Sequence, residues 1–283
     1  MDNLEQYEFD RLGYLVIRNM LEPAVVKSLS KTIEALEEHA AARVHLPPRK
    51  KFPWGGGDAH REMERGYHAH GSQGDGQTII VDDFWNFSSE FDVLLDHKKT
   101  MSYIHTIVQS RATINNSELR IRYPGNTSGS HMGGPIDHKY RYGFTQGKID
   151  CMMVRMIYFV HDVNAEQGAF CVVPATHKTN FAPPYGHQPD REPGMIPLEV
   201  KAGDAILFTE NLRHGGFTNR SSQVRKTLHV GYGPMWMMSQ NISTMDEPNY
   251  ITAETRARLT HAQRSLFEAW PAKKEEVKEL AAL

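Results

Sequence analysis

Between residues 118 and 232 the chain is a succession of short apolar runs cut by turn residues, and this limits the fold more than any other feature. Leu119-Arg120-Ile121-Arg122-Tyr123 alternates apolar with polar and stops at Pro124-Gly125. Residues 151–160 form a longer apolar run. Residues 162–168 have turn composition, 169–174 are apolar again, 198–208 read as strand, turn, strand around Gly203, and 227–232 close the series. Successive side chains on a strand point to opposite faces, so such runs, separated by turn signals, predict a barrel or sandwich.

The flanks read differently. Residues 7–17 predict a short helix and then a strand. Residues 21–41 predict a helix, with Pro23 near its start and Val25, Val26, Leu29, Ile33 and Leu36 on a helical period. A second helix is expected over 91–110. Residues 42–77, which hold Pro47-Pro48 and Gly55-Gly56-Gly57, read as a long irregular loop of the kind that carries function. Together these give one domain over 1–283: a mostly helical and loop part (1–117), a β core (118–235) and a charged helical C-terminal cap (236–283). A formal net charge of −2 gives no support for binding nucleic acid polymers. Two cysteines, Cys151 and Cys171, lie in or beside apolar runs and are expected as buried free thiols. No run approaches the roughly 20 apolar residues of a membrane span. The expectation is a soluble, cytoplasmic protein with no membrane partner.

Two histidines stand in glycine-rich settings. His131 lies in Ser130-His131-Met132-Gly133-Gly134-Pro135. His214 lies in Glu210-Asn211-Leu212-Arg213-His214-Gly215-Gly216, and Arg225 follows. A common non-haem iron(II) site takes two His and one carboxylate on one face of the metal and leaves the other positions open. The carboxylate usually stands two residues after the first His, but here that residue is Gly133, which has no donor. His138 rivals His131 as first ligand. Asp137 could reach a metal but holds the expected spacing to neither histidine. Local spacing cannot show that His131 and His214 meet.

The ordered set His131-Met132-Gly133-Gly134, Val163-Asn164-Ala165-Glu166-Gln167-Gly168, Val173-Pro174-Ala175-Thr176-His177-Lys178, His214-Gly215-Gly216 with Asn219-Arg220-Ser221, and Arg225 resembles the phytanoyl-CoA dioxygenase-like branch of the iron(II)/2-oxoglutarate oxygenases. It spans about residues 118–235. Pro174-Ala175-Thr176-His177 departs from that family's Pro-Gly-Ser-His by an Ala for Gly. The resemblance implies a mainly β fold with flanking helices around a double-stranded β-helix (jelly-roll, cupin-like) core. It implies His131 and His214 as metal ligands at the barrel mouth, Arg225 as the partner of the distal carboxylate of 2-oxoglutarate, and His177 as a structural residue. A guanidinium suits that task because its planar fork meets a carboxylate with two parallel hydrogen bonds. Arg225 and Lys226 are neighbours on a strand, so only one of them faces the interior. Thr227 and Arg155 are candidate helpers.

Gly133 in the carboxylate position resembles the arrangement of the iron/2-oxoglutarate halogenases. That resemblance implies iron(II), 2-oxoglutarate, dioxygen and chloride as cofactors. The halide would occupy the position that Gly133 leaves vacant, and chlorine rather than hydroxyl would pass to an unactivated C–H of a small molecule. The alternatives are a hydroxylase of a small natural product or acyl substrate, a non-catalytic binding protein of the same fold, and a cupin-like enzyme using another metal. For the substrate, Arg49-Lys50-Lys51 with Arg61 and Arg65 suggests an anion site, and Trp54, Tyr67 and Trp85 suggest stacking on a planar ring. The mixture suits a nucleotide such as deoxyadenosine monophosphate; a solvated basic loop with structural aromatics is the plainer reading. Met235, Trp236, Met237 and Met238 fit a core plug, a lid or a dimer contact.

Overall fold

A computed structural model describes residues 1–53, 55–133, 140–247 and 250–268. Two antiparallel sheets carry the fold. The larger runs, edge to edge, through Tyr14–Ile17, Ala205–Thr209, Val154–Phe159, Arg225–Pro234, Ala112–Arg122, Thr78–Asp82, His68–Gly71, Asp58–Arg61 and Arg49–Lys51. The smaller runs through Ile196–Pro197, Phe170–Val173, Arg213–Gly216 and Ser128–His131. Apolar side chains from both sheets, among them Ile157, Phe159, Ile206 and Phe208 from the larger and Phe170 and Val172 from the smaller, pack as one buried cluster. That is the interior of the expected jelly roll.

Alternation divides the larger sheet into two faces. Leu119, Ile121, Met156, Tyr158, Leu207, Leu228 and Val230 pack outward, against the helices Asn3–Leu12, Pro23–Ala41 and Lys98–Ile107. The residues between them (Arg120, Arg122, Arg155, Arg225, Thr227, His229) face the barrel interior and line its cavities. Period two thus lets one strand serve an apolar core and a polar site together. Lys226 takes the other side from Arg225, as anticipated, and its ammonium pairs with Glu37 on the long helix.

The N-terminal helix is tied to the barrel by a close approach. Gly13 caps it at φ +83°, and a Cβ there would lie 2.5 Å from the His177 ring. His177 is bonded through Nε2 to the Asp10 carbonyl (3.0 Å), which fits the structural role the resemblance implied.

Two expectations need correction. Residues 42–77 are not one loop: Arg49–Lys51, Asp58–Arg61 and His68–Gly71, with Thr78–Asp82 after them, extend the larger sheet outward from Ala112–Arg122. Their buried positions are Ala59, His60, His68 and Ala69, adjacent residues on both faces, so the apolar alternation that marks a strand is missing. The helix expected over 91–110 is broken into a 3-10 turn (Ser89–Leu94) and a helix (Lys98–Ile107) whose N-cap is His97. The C-terminal cap begins as two short helices, Ala253–Arg258 and His261–Ser265, and residues 269–283 lie outside the described residues. Cys151 and Cys171 are free and buried. No helix among the described residues is long and apolar enough to cross a membrane.

Candidate metal centre

His131 ends one strand of the smaller sheet, and His214 lies directly opposite on its antiparallel neighbour. Strand pairing therefore closes the sequence gap that spacing could not, and the two rings stand 4.2 Å apart, centroid to centroid. Each imidazole is held from behind. His131 Nδ1 bonds the Gly129 carbonyl at 2.9 Å, and His214 Nδ1 bonds the Leu212 carbonyl at 2.7 Å. A carbonyl only accepts, so both Nδ1 atoms carry the proton and both Nε2 lone pairs are left for a metal. Burial pushes both rings below the ordinary histidine range, which keeps them neutral and ligating.

Glu210, outside the expected interval after His131, places a carboxylate beside the two histidines. Glu210 follows the strand Ala205–Thr209, whose Ile206 and Phe208 face the interior, and it continues that parity inward. One ligand atom each from His131, Glu210 and His214 lie within 4.8 Å of one another. Gly133, at φ +75°, donates its N–H to the Glu210 carbonyl at 2.6 Å. The position without a side chain and the residue that brings a carboxylate are thus joined. Neither Glu210 oxygen has an aligned hydrogen-bond partner, although both are buried. Arg155 Nε makes a close charge contact with Glu210, and its Nη1 bonds Asn116 Oδ1 at 2.7 Å. A buried carboxylate with lone pairs left beyond its Arg155 contact, beside two imidazoles with free Nε2 atoms, fits a divalent metal. His138 and Asp137 lie outside the described residues.

The histidine strands are clamped on their other side. Arg213, adjacent to His214, pairs with Glu192 through Nε (2.8 Å) and Nη2 (3.0 Å) and reaches Ser130 Oγ at 3.1 Å. Ser130, adjacent to His131, also donates to Glu192. All three side chains are buried.

Deeper in the barrel, Arg225 and Thr227 line a narrow cavity with His131, His214, Arg122 and His229. Arg225 Nη1 donates to the Gly168 carbonyl, and Nε has no partner. Thr227 Oγ1 bonds His229 Nε2 at 2.9 Å. A wider cavity of about 670 Å³ shares Arg120, Arg122, Ser128 and His131 with the narrow one and opens past Phe52, His70 and Ile80. This size suits a small organic ligand.

The proposed anion-and-ring site does not assemble. Lys50 is held at 2.7 Å by both Asp246 and Glu247, Lys51 pairs with Asp58, and Arg65 lies over the Phe87 ring. None of the three lines the wide cavity. Trp54 lies outside the described residues. Tyr67 and Trp85 are fully buried in the helix-side core, where packing and not stacking on a ligand fixes them. Met237 is buried against Tyr140 and Met153, whereas Trp236 and Met238 are exposed.

Imidazoles other than His131 and His214 give a pH prediction. Burial pushes His70 and His177 down to about 4 and His229 well below its usual range. The unfolded chain takes up these protons near pH 6.5. It therefore binds more protons than the folded chain below that value, and stability falls as pH falls. The denaturant midpoint should be flat above about pH 7 and should decline between roughly 6.5 and 4. Equal midpoints at pH 5 and 7.5 would mean that these rings are charged in the fold.

Known proteins resemble this chain in sequence and in fold. The family model for phytanoyl-CoA dioxygenase (PhyH) matches residues 9–227. A curated relative, dioxygenase olcK of Penicillium canescens, is 34% identical over 83 residues, which are 29% of this chain and 26% of that protein. The chain thus spans about a quarter of that relative's length. Among solved structures, HygX from Streptomyces hygroscopicus with nickel, 2-oxoglutarate and hygromycin B bound superposes with a TM-score of 0.65 at 20% identity, over 90% of this chain and 94% of that one. The non-heme alpha ketoglutarate dependent carbocyclase SnoK from nogalamycin biosynthesis superposes with a TM-score of 0.57 at 17% identity, over 92% and 91%.

Proposed function

Because the chain belongs to the phytanoyl-CoA dioxygenase (PhyH) family of iron(II)/2-oxoglutarate oxygenases, we propose that it oxidises a C–H bond of a small organic substrate at a metal held by His131, Glu210 and His214. The observation that carries this reading is the convergence of the three ligand atoms within 4.8 Å, with both histidine Nδ1 atoms committed to backbone carbonyls. Iron(II) with 2-oxoglutarate and dioxygen supplies the oxidising power for an unactivated C–H bond.

The rest is done by this chain's own side chains. The backbone carbonyls of Gly129 and Leu212 fix both imidazole planes and their tautomers. Arg225 and Thr227 offer donors to the cosubstrate from the interior face of one strand. Arg155 balances the Glu210 charge. Phe52, His70 and Ile80 form the wall against which the substrate carbon is oriented.

Oxygen transfer is preferred to halogenation for one reason. The halogenase reading needs a vacant metal position at Gly133, and Glu210 offers a carboxylate next to it. A small natural product is preferred to a nucleotide because the basic residues that would meet a phosphate are spent on Asp58, Asp246 and Glu247. HygX with its bound hygromycin B supports a substrate of that general kind.

Anaerobic addition of iron(II) and 2-oxoglutarate should give a metal-to-ligand charge-transfer band, and chloride should leave it unshifted. A chloride-dependent shift would overturn the oxygen-transfer assignment and restore halide binding at Gly133. Absence of any band would remove the enzyme reading itself.

A further inference from the structure

Arg122 and Arg225 are directly opposed residues on neighbouring antiparallel strands, Ala112–Arg122 and Arg225–Pro234. Both side chains are buried and both line the narrow cavity beside His131 and His214. Like charges facing each other across a ladder destabilise a sheet, and burial adds to the cost. Among the described residues, no carboxylate pairs with either guanidinium. Arg122 has two buried N–H groups, Nε and Nη1, without an acceptor, and Arg225 has one at Nε. Space is also reserved for the Arg122 fork: a Cβ on Gly216 would lie 2.5 Å from Arg122 Nη1.

We propose that Arg122 and Arg225 form a two-arginine hole for one dicarboxylic acid, in which both guanidinium groups converge on the carboxylate farthest from the metal. The inference rests on the cosubstrate reading above and deepens it. Arg225 alone would satisfy a carboxylate with one fork. The second, opposed fork supplies donors to the remaining lone pairs and makes the anion the element that neutralises a repelling pair. Burial first, and then the Arg225 charge, press the Arg122 guanidinium well below its usual range, as expected of a cation waiting for a counter-ion. Two consequences follow. The succinate end of the reaction should be held through the same contacts as the 2-oxoglutarate end. The ligand-free protein should be strained by the pair.

The test is equilibrium binding of 2-oxoglutarate and of succinate to the full chain by calorimetry, with and without nickel(II), together with thermal unfolding. Arg122→Gln should weaken both ligands about 10- to 100-fold, the size of a lost charge-assisted hydrogen bond. The same variant should unfold at a higher temperature than the parent when no ligand is present, which a merely structural arginine would not do. Should Arg122→Gln fail to fold, Gly216→Ala keeps both charges but takes the space of the fork, and should weaken succinate binding by about the same factor. Parent-like affinity for both ligands in a folded Arg122→Gln or Gly216→Ala overturns the inference and leaves the oxygenase reading intact. If the unaltered protein binds neither acid, the cosubstrate reading fails and the two-arginine hole fails with it.

Discussion

Glu210→Ala should reduce iron(II) affinity and 2-oxoglutarate turnover by about 100-fold or more, because partners that merely support a ligand are already worth about 10- to 100-fold. Succinate release and metal titration read the two losses. The variant also leaves buried Arg155 with only Glu118, 3.5 Å from its Nη1, as a charge partner, and breaking a buried pair costs up to about 3–5 kcal/mol. The loss of activity must therefore be separated from loss of fold. Glu210→Ala combined with Arg155→Met removes both charges and should recover most of the stability while the metal site stays broken. The single variant carries a second readout. With the carboxylate gone and the Arg155 cation left beside an open metal position, chloride should now perturb the charge-transfer band, although it does not in the parent. If Glu210→Ala folds, binds iron(II) and turns over like the parent, Glu210 is not the third ligand, and the space at Gly133 regains its meaning as a halide site.

The second large effect is on stability. Glu192→Ala should destabilise the protein by about 3–5 kcal/mol, a drop in unfolding temperature on the order of 10 °C for a chain of this size. Arg213 loses its bidentate partner at 2.8 and 3.0 Å, and Ser130 loses its acceptor, all among buried side chains. Ser130 and Arg213 each neighbour one of the paired histidines, so iron(II) affinity should fall as well, by about 10-fold or more as for other supporting contacts. Glu192→Ala with Arg213→Met should regain stability by removing the stranded charge. A single variant as stable as the parent would mean that water already reaches the pair.

Much of the fold was readable from residue order. The apolar runs at 151–160, 169–174 and 198–208 became strands within a residue or a few of where they were expected, because each combines β-forming side chains with glycine or turn residues at its ends. Lys226 and Arg225 split across the sheet as period two requires. The strands Arg49–Lys51, Asp58–Arg61 and His68–Gly71 were missed because small, basic and histidine side chains occupy positions where apolar ones would have announced a sheet. Their stability comes from the ladder and from packing against Ala112–Arg122, neither of which leaves a local pattern. Glu210 was missed for a different reason. Its spacing to His214 is short, but its meaning depends on how the strand before it is oriented, which no local interval reports. Lys50 and Lys51 drew the opposite error: a basic cluster reads as free charge until Asp58, Asp246 and Glu247 fold against it.

The sequence by itself determined a β core of barrel or sandwich type, the opposite facing of Arg225 and Lys226, and the two histidines that belong together in one family pattern, because period, turn chemistry and residue type act locally. Only the tertiary structure decided which carboxylate accompanies the histidines, that Arg122 stands opposite Arg225, and that the basic N-terminal strands are neutralised. Those outcomes depend on register between strands remote in sequence, and a hydrogen-bonded ladder brings together residues that no local interval connects.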